Sequence, residues 1–263
     1  GLGYSECTWE FPEEFEGCLE RVEEHRIFRL NNPSSSSGGD VIRRGKAAFS
    51  KESRMAIGET ADGKFKIEKE NIPLKNIDLR DYQVEGIHWM AWQWYQKKSS
   101  ILADEMGLGK TMQTLGFCEL VRKFRKGAIT CIIVCPLSVM QHWLNEVDSY
   151  TGMTAACLYG NAADRAIFKE REFSNPKDKY EPNFNCLVTT YEVAKTESRF
   201  LSNVRFDIGI YDEGHRLKNH EATVHKIMKN IKVDFRLLLT GTPIQNNTTE
   251  LYSLLSFLNP QKF

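Results

Sequence analysis

The stretch Ile101-Leu-Ala-Asp-Glu-Met-Gly-Leu-Gly-Lys110-Thr111 runs from an apolar segment through two glycines into a Lys-Thr pair that opens a helical pattern. Strand, glycine turn and helix, in that order, are the setting in which such a run works as a phosphate cradle. Glycines let successive backbone N–H groups turn inward, where they and the helix N-terminus attract anionic oxygens. Asp104, Glu105, Met106, Gly107, Leu108 and Gly109 would form the loop. Lys110 would reach the β- and γ-phosphates of a nucleotide, and the Thr111 hydroxyl would be a Mg²⁺ ligand. The general G-x-x-x-x-G-K-[ST] pattern starts with glycine, whereas this run starts with Asp104.

Outward from the cradle, apolar runs alternate with helical patterns. Strand-like runs fall at residues 100–103, 130–135, 155–159, 186–190, 206–212 and 235–240. Between them apolar residues recur at helical spacing, as in Met112, Leu115, Cys118, Val121 and in Met140, Trp143, Leu144, Val147. Upstream, Asp81 is placed to cap a helix carrying Val84, Ile87, Ala91, Trp94 and Tyr95. The alternation predicts an α/β fold, a parallel sheet with helices on both faces. Polar, glycine or proline residues gather at the carboxyl ends of the runs: residues 104–111, Pro136, Thr189 with Thr190, Asp212 with Glu213, and residues 240–243. Ligands of open α/β sheets bind outside those ends.

Composition bounds the alternatives. In 263 residues, Lys plus Arg and Asp plus Glu number 35 each, so net charge selects no partner. The distribution is uneven: residues 1–24 hold eight Glu and one Arg, while residues 77–263 hold 23 basic and 21 acidic side chains. Seven cysteines without a CxxC pair read as packed thiols of a reducing compartment rather than zinc ligands. The longest apolar run contains Pro136 and is too short to span a bilayer, and the acidic N-terminus is no signal peptide. The expectation is a soluble intracellular protein with no membrane partner. Phe15, Cys18, Leu19 and Val22 give residues 1–30 an apolar helical stripe. Residues 31–76, with Pro33, four serines and Gly38-Gly39, read as a linker. Residues 77–263 form the α/β domain. Arg122, Lys123, Arg125 and Lys126 close a helix, where positive charge complements the dipole, a reading preferred to a nucleic-acid patch.

Tyr211-Asp212-Glu213-Gly214-His215 closes a run whose buried residues would be Ile208 and Ile210. Nucleotide hydrolysis needs one carboxylate to hold Mg²⁺ across the phosphates and another to orient or deprotonate water. Asp212 would be the metal carboxylate and Glu213 the water-positioning one, which with Lys110 makes the candidate catalytic set.

Leu79-Arg-Asp-Tyr-Gln83, Asp104-Glu-Met-Gly-Leu-Gly-Lys-Thr111, Asp212-Glu-Gly-His-Arg-Leu-Lys-Asn219 and Leu239-Thr-Gly-Thr-Pro-Ile-Gln-Asn246 resemble motifs Q, I, II and III of the Swi/Snf-type ATPases of helicase superfamily two, in order and spacing. Pro136-Leu-Ser with Trp143 and Glu146 is similar to motif Ia, and Leu187-Val-Thr-Thr-Tyr-Glu192 to motif Ib. Gly1-Leu-Gly-Tyr-Ser-Glu-Cys-Thr-Trp-Glu10 resembles the end of a chromodomain, which points to the chromodomain-helicase-DNA-binding (CHD) remodellers. The resemblance covers about 185 residues, and in that family Asp104 in place of the first glycine is usual. It implies a RecA-like first motor lobe over residues 77–263, a chromodomain remnant over 1–30, ATP and Mg²⁺ as cofactors, duplex DNA and nucleosomal histones as partners, and a nuclear location. Gln83 would then read the N6/N7 edge of adenine. His215, Thr240, Thr242 and Gln245 would couple nucleotide state to lobe movement, and Thr189, Thr190 and Lys218 would contact DNA phosphate. Gly214 departs from the Ala usual in the family's Asp-Glu-Ala-His without removing a catalytic group. The resemblance also implies a second lobe bearing arginine fingers. Residues 258–263 fall where the family's first lobe ends, so this chain alone is expected to bind Mg·ATP weakly and hydrolyse it barely. The alternatives are an RNA helicase of the same superfamily and a catalytically silent chromatin-binding scaffold.

Overall fold

All six apolar runs are strands, and every pairing between them is parallel. In the computed structural model, which describes residues 67, 69–175, 178–219, 221–241 and 248–260, they are β1 (Ser100–Leu102), β2 (Cys131–Cys135), β3 (Ala155–Leu158), β4 (Cys186–Thr190), β5 (Arg205–Tyr211) and β6 (Lys232–Leu239). Residues 1–30, expected to be a chromodomain remnant, and most of the expected linker over residues 31–76 lie outside the described residues. The sheet order is β1-β6-β5-β2-β4-β3. β5 and β6 begin earlier than their apolar runs. Arg205 pairs with Lys232 in register and bonds Asp234 at 3.1 Å, so charged residues extend the ladder where it reaches solvent.

The helices are α1 (Asp81–Tyr95), α2 (Lys110–Phe124), α3 (Leu137–Tyr150), α4 (Ala162–Glu172), α5 (Tyr191–Thr196), α6 (Ser198–Leu201), α7 (Thr223–Asn230) and α8 (Thr248–Leu258). Asp81 is the first helical residue of α1 rather than its cap. Arg80 holds the cap position, and its N–H donates to Gln83 Oε1 at 2.9 Å.

Strand residues alternate between two cores because successive side chains leave opposite faces. Cys131, Ile133 and Cys135 of β2, with Leu237 and Leu239 of β6, pack under α1, α2 and α3 through Ile87, Leu115, Phe117, Trp143 and Val147. Ile132, Val134, Leu187 and Leu238 pack on the other side with Tyr191, Leu201, Met228 and Phe257 from α5 to α8. A strand buried on both faces favours apolar residues throughout, so β2 is a continuous apolar run and β4 is apolar up to Thr189 and Thr190, whose hydroxyls are hydrogen-bonded.

The amino ends of the strands are closed by ion pairs. Arg125, past the end of α2, bonds Asp207 of β5 at 2.9 Å, and Asp207 also accepts the Thr130 N–H at 2.8 Å. Arg122 bonds the fully buried Glu119 at 2.9 Å, and Glu119 also accepts the Gly152 N–H. The basic run at residues 122–126 therefore ties a helix end to the sheet, on the edge away from the phosphate loop. Five cysteines lie among the described residues as free thiols, four of them buried. No helix among the described residues is long and apolar enough to cross a membrane.

Candidate nucleotide-binding site

The phosphate loop links the end of β1 to the start of α2. Gly107 at φ +87° and Gly109 at φ +73° hold the left-handed conformations that turn the chain inward. Gly109 has a second reason to be glycine: a Cβ there would lie 2.4 Å from Nε2 of Gln83. No side chain caps the first turn of α2, so its leading N–H groups face the loop. Lys110 Nζ lies within the loop's curl, donating to the carbonyls of Asp104 at 2.7 Å and Glu105 at 3.0 Å. Gln83 approaches from α1, its Nε2 3.5 Å from Leu108 O. The Q-like residue and the loop are thus brought together.

Asp212 and Glu213 follow β5, two strands away from β1 with β6 between. At ordinary strand spacing that separation is about 10 Å, a span that a triphosphate with its cation can bridge. Asp212 is held from all sides. Its Oδ2 accepts the Trp143 indole N–H at 2.9 Å and its Oδ1 the Glu213 N–H at 2.9 Å. Its N–H donates to Val134 O at 2.9 Å, and its carbonyl accepts the Tyr191 hydroxyl at 2.7 Å. Burial first, and then the nearby Asp212, push the Tyr191 phenol well above its ordinary value, so it remains a proton donor in this bond.

Glu213 adopts a left-handed conformation, φ 51° and ψ 50°, unusual for a side chain other than glycine. Its carboxylate lies 3.1 Å from His215 Nδ1. Gly214 is buried against β6, where a Cβ would come within 3.2 Å of Leu238 Cβ and 3.4 Å of Leu239 O. The departure from the family's alanine matches that tight packing. Thr240, at the end of β6, donates its N–H to Leu102 O at 3.1 Å and so ties this strand to β1. A Cβ on the next residue, Gly241, would meet Met106 Cγ at 2.8 Å and Lys110 Nζ at 3.8 Å. The end of β6 is therefore wedged between the phosphate loop and the Asp-Glu pair. His215, Lys218 and Thr240 line one small hollow with Gly214 and Leu254, while Thr242 and Gln245 lie outside the described residues.

Two of the residues expected to touch DNA phosphate point inward instead. Thr189 is fully buried and donates its hydroxyl to Leu158 O at 2.8 Å. Thr190, also buried, caps α5 by accepting the Val193 N–H at 3.2 Å. A helix that starts directly on a strand end needs a side-chain acceptor there, and threonine meets that need. Lys218 remains at the surface, paired with Glu250 at 3.1 Å.

Sequence assigns Trp143 and Tyr191 no chemistry, yet from two helices they hold Asp212, Trp143 by its carboxylate and Tyr191 by its backbone carbonyl. A signal existed for each: a buried indole or phenol seeks an acceptor, and both fall near the carboxyl edge.

The chain matches the family described as SNF2-related domain over residues 82–263. It is 33% identical over 271 aligned positions to chromodomain-helicase-DNA-binding protein 1 of Homo sapiens, covering 100% of this chain and 15% of that protein. To protein CHROMATIN REMODELING 4 of Arabidopsis thaliana it is 33% identical over 275 positions, covering 100% of this chain and 12% of the other. Among solved structures, the Sulfolobus solfataricus SWI2/SNF2 ATPase core in complex with dsDNA superposes with a TM-score of 0.61 and 30% identity, covering 72% of this chain and 37% of that one. The chain thus spans a small part of the length of these curated relatives.

Proposed function

Because the chain belongs to the SNF2-related domain family, we propose that it is the ATP-binding motor lobe of an ATP-dependent chromatin-remodelling DNA translocase. The observation that carries this reading is the shared carboxyl edge. Lys110 and Thr111 lie on one side of the β6 end, and Asp212 and Glu213 on the other. Residues 77–263 are assigned to this lobe, residues 31–76 to a linker and residues 1–30 to the end of a chromodomain.

The donor set suits Mg²⁺, which takes hard oxygen ligands: the Thr111 hydroxyl and an Asp212 carboxylate already oriented by Trp143. Held by Thr111 and Asp212, Mg²⁺ would supply positive charge to offset the charge developing on the phosphates. Lys110 exchanges its loop carbonyls for phosphate oxygens. Glu213 orients a water toward the γ-phosphorus; the new P–O bond forms, the bond to ADP breaks, and Glu213 receives the water's proton. Gln83 stands beside the loop to meet adenine. His215 and Thr240, with Thr242 and Gln245, relay the nucleotide state, and Lys218 is the candidate contact to DNA phosphate.

The substrate track is duplex DNA on nucleosomes, in the nucleus. Relatives named for chromatin remodelling and a related ATPase core in complex with dsDNA support this assignment. The test is stimulation of ATP hydrolysis by the full-length protein. Duplex DNA is expected to accelerate phosphate release and single-stranded RNA to leave it unchanged; the reverse would favour an RNA helicase. A scaffold would show neither.

A further inference from the structure

Gln113, the fourth residue of α2, is completely buried one turn behind the phosphate loop. Its Nε2 donates to the Asp104 carboxylate at 2.9 Å and to Leu108 O at 3.3 Å. Both partners are acceptors, so the amide has one sensible orientation: reversing it would set an oxygen against two oxygens. That orientation leaves Oε1 buried with no hydrogen-bond partner. It faces Gly86 of α1, where an added Cβ would lie only 1.9 Å away. The same helix α1 presents Gln83, whose Nε2 approaches the same Leu108 O at 3.5 Å.

From this geometry we infer that Gln113 is a positioning residue for nucleotide binding: it ties the first loop residue, Asp104, to the fifth, Leu108, and Gly86 is the gap that lets it do so. The inference rests on the nucleotide-binding reading above. It gives the Asp104 side chain a task, since a carboxylate replaces the pattern's usual glycine and receives the tether. A loop of six exposed or half-exposed residues, two of them glycines, has many conformations open to it. A charge-assisted hydrogen bond from a buried, immobile donor selects one of them. The unpartnered Oε1 is a cost that a filler residue such as leucine would avoid, which argues that the amide is retained for its donor. Gly86 also sets the helix that carries Gln83 directly against the amide that holds the loop.

The test is Mg·ATP affinity of the 263-residue chain, measured by displacement of a fluorescent ATP analogue, with thermal melting alongside. Gln113→Leu is expected to weaken binding about tenfold, the size of one charge-assisted hydrogen bond. Gly86→Ala, whose methyl displaces the amide, should weaken it to a similar degree. In a Gln113→Ala background the methyl has room, so adding Gly86→Ala should change affinity by less than about twofold. If Gln113→Leu fails to fold, the Gly86→Ala cycle decides. Variants that melt lower yet bind like the parent would overturn the tether, as would two losses that multiply in the double variant. A parent chain that binds no Mg·ATP, like its Lys110→Ala control, overturns the nucleotide reading and the tether with it.

Discussion

Glu213 holds a backbone conformation that costs a side chain about 1–2 kcal/mol relative to the right-handed region. Such strain persists where the surroundings over-determine it. Here the Asp212 carboxylate accepts the Glu213 N–H, and Gly214 is pressed against β6. Glu213→Gly is accordingly expected to raise stability by about 1 kcal/mol in urea denaturation while abolishing hydrolysis in the full-length enzyme. A less stable variant would contradict the strain argument. Trp143→Phe keeps the ring's bulk but removes the donor to Asp212. It should weaken Mg²⁺-dependent ATP binding about tenfold while lowering Tm by only a few degrees. An unchanged affinity would show that Asp212 needs no second support. The two carboxylates were legible in sequence because they end an apolar run. The hold of Trp143 on Asp212 was not, because it depends on how α3 returns across the sheet edge.

Element by element, the strands were readable and their order was not. Runs buried on both faces announce themselves by composition, but nothing local states that β6 inserts between β1 and β5. That insertion is what wedges Thr240 and Gly241 between the cradle and the Asp-Glu pair. At Thr189 and Thr190 the junction from β4 to α5 has no loop, so residues that look like surface donors in sequence serve as internal hydrogen-bond partners. On the far side, Glu197 joins α4 to α6 through Arg165 at 2.7 Å and Lys169 at 3.0 Å. Burial pushes the Glu197 carboxyl up, but the bonds from Arg165 and Lys169 outweigh it and hold the group below its ordinary value. The depressed folded value means that this cluster stabilises the fold fully above the unfolded carboxylate range, about 4.3. The contribution is lost as pH falls through the folded value. Glu197→Gln should therefore lower stability near neutrality and flatten the acid limb of a stability profile; an unchanged limb would rule the cluster out as a source of acid sensitivity.

At the scale of the whole molecule, the motifs among the described residues would make one wall of the proposed nucleotide site. The chain covers 15% of the human CHD-type relative and 37% of the archaeal ATPase core. Arginine fingers from a facing lobe are worth about 10³–10⁵ in turnover. The isolated 263-residue chain is thus expected to bind Mg·ATP yet release phosphate slower than the full-length enzyme by a factor in that range. Turnover by the isolated chain matching the full-length protein would show that no second wall is needed. The cradle at residues 101–111 is in this account half of a site. The most direct test of its role is steady-state phosphate release by the full-length protein with duplex DNA, comparing the parent with Glu213→Gln. DNA-stimulated release is expected in the parent, and its loss, with ATP binding kept, in the variant. Equal release by the two proteins would contradict it.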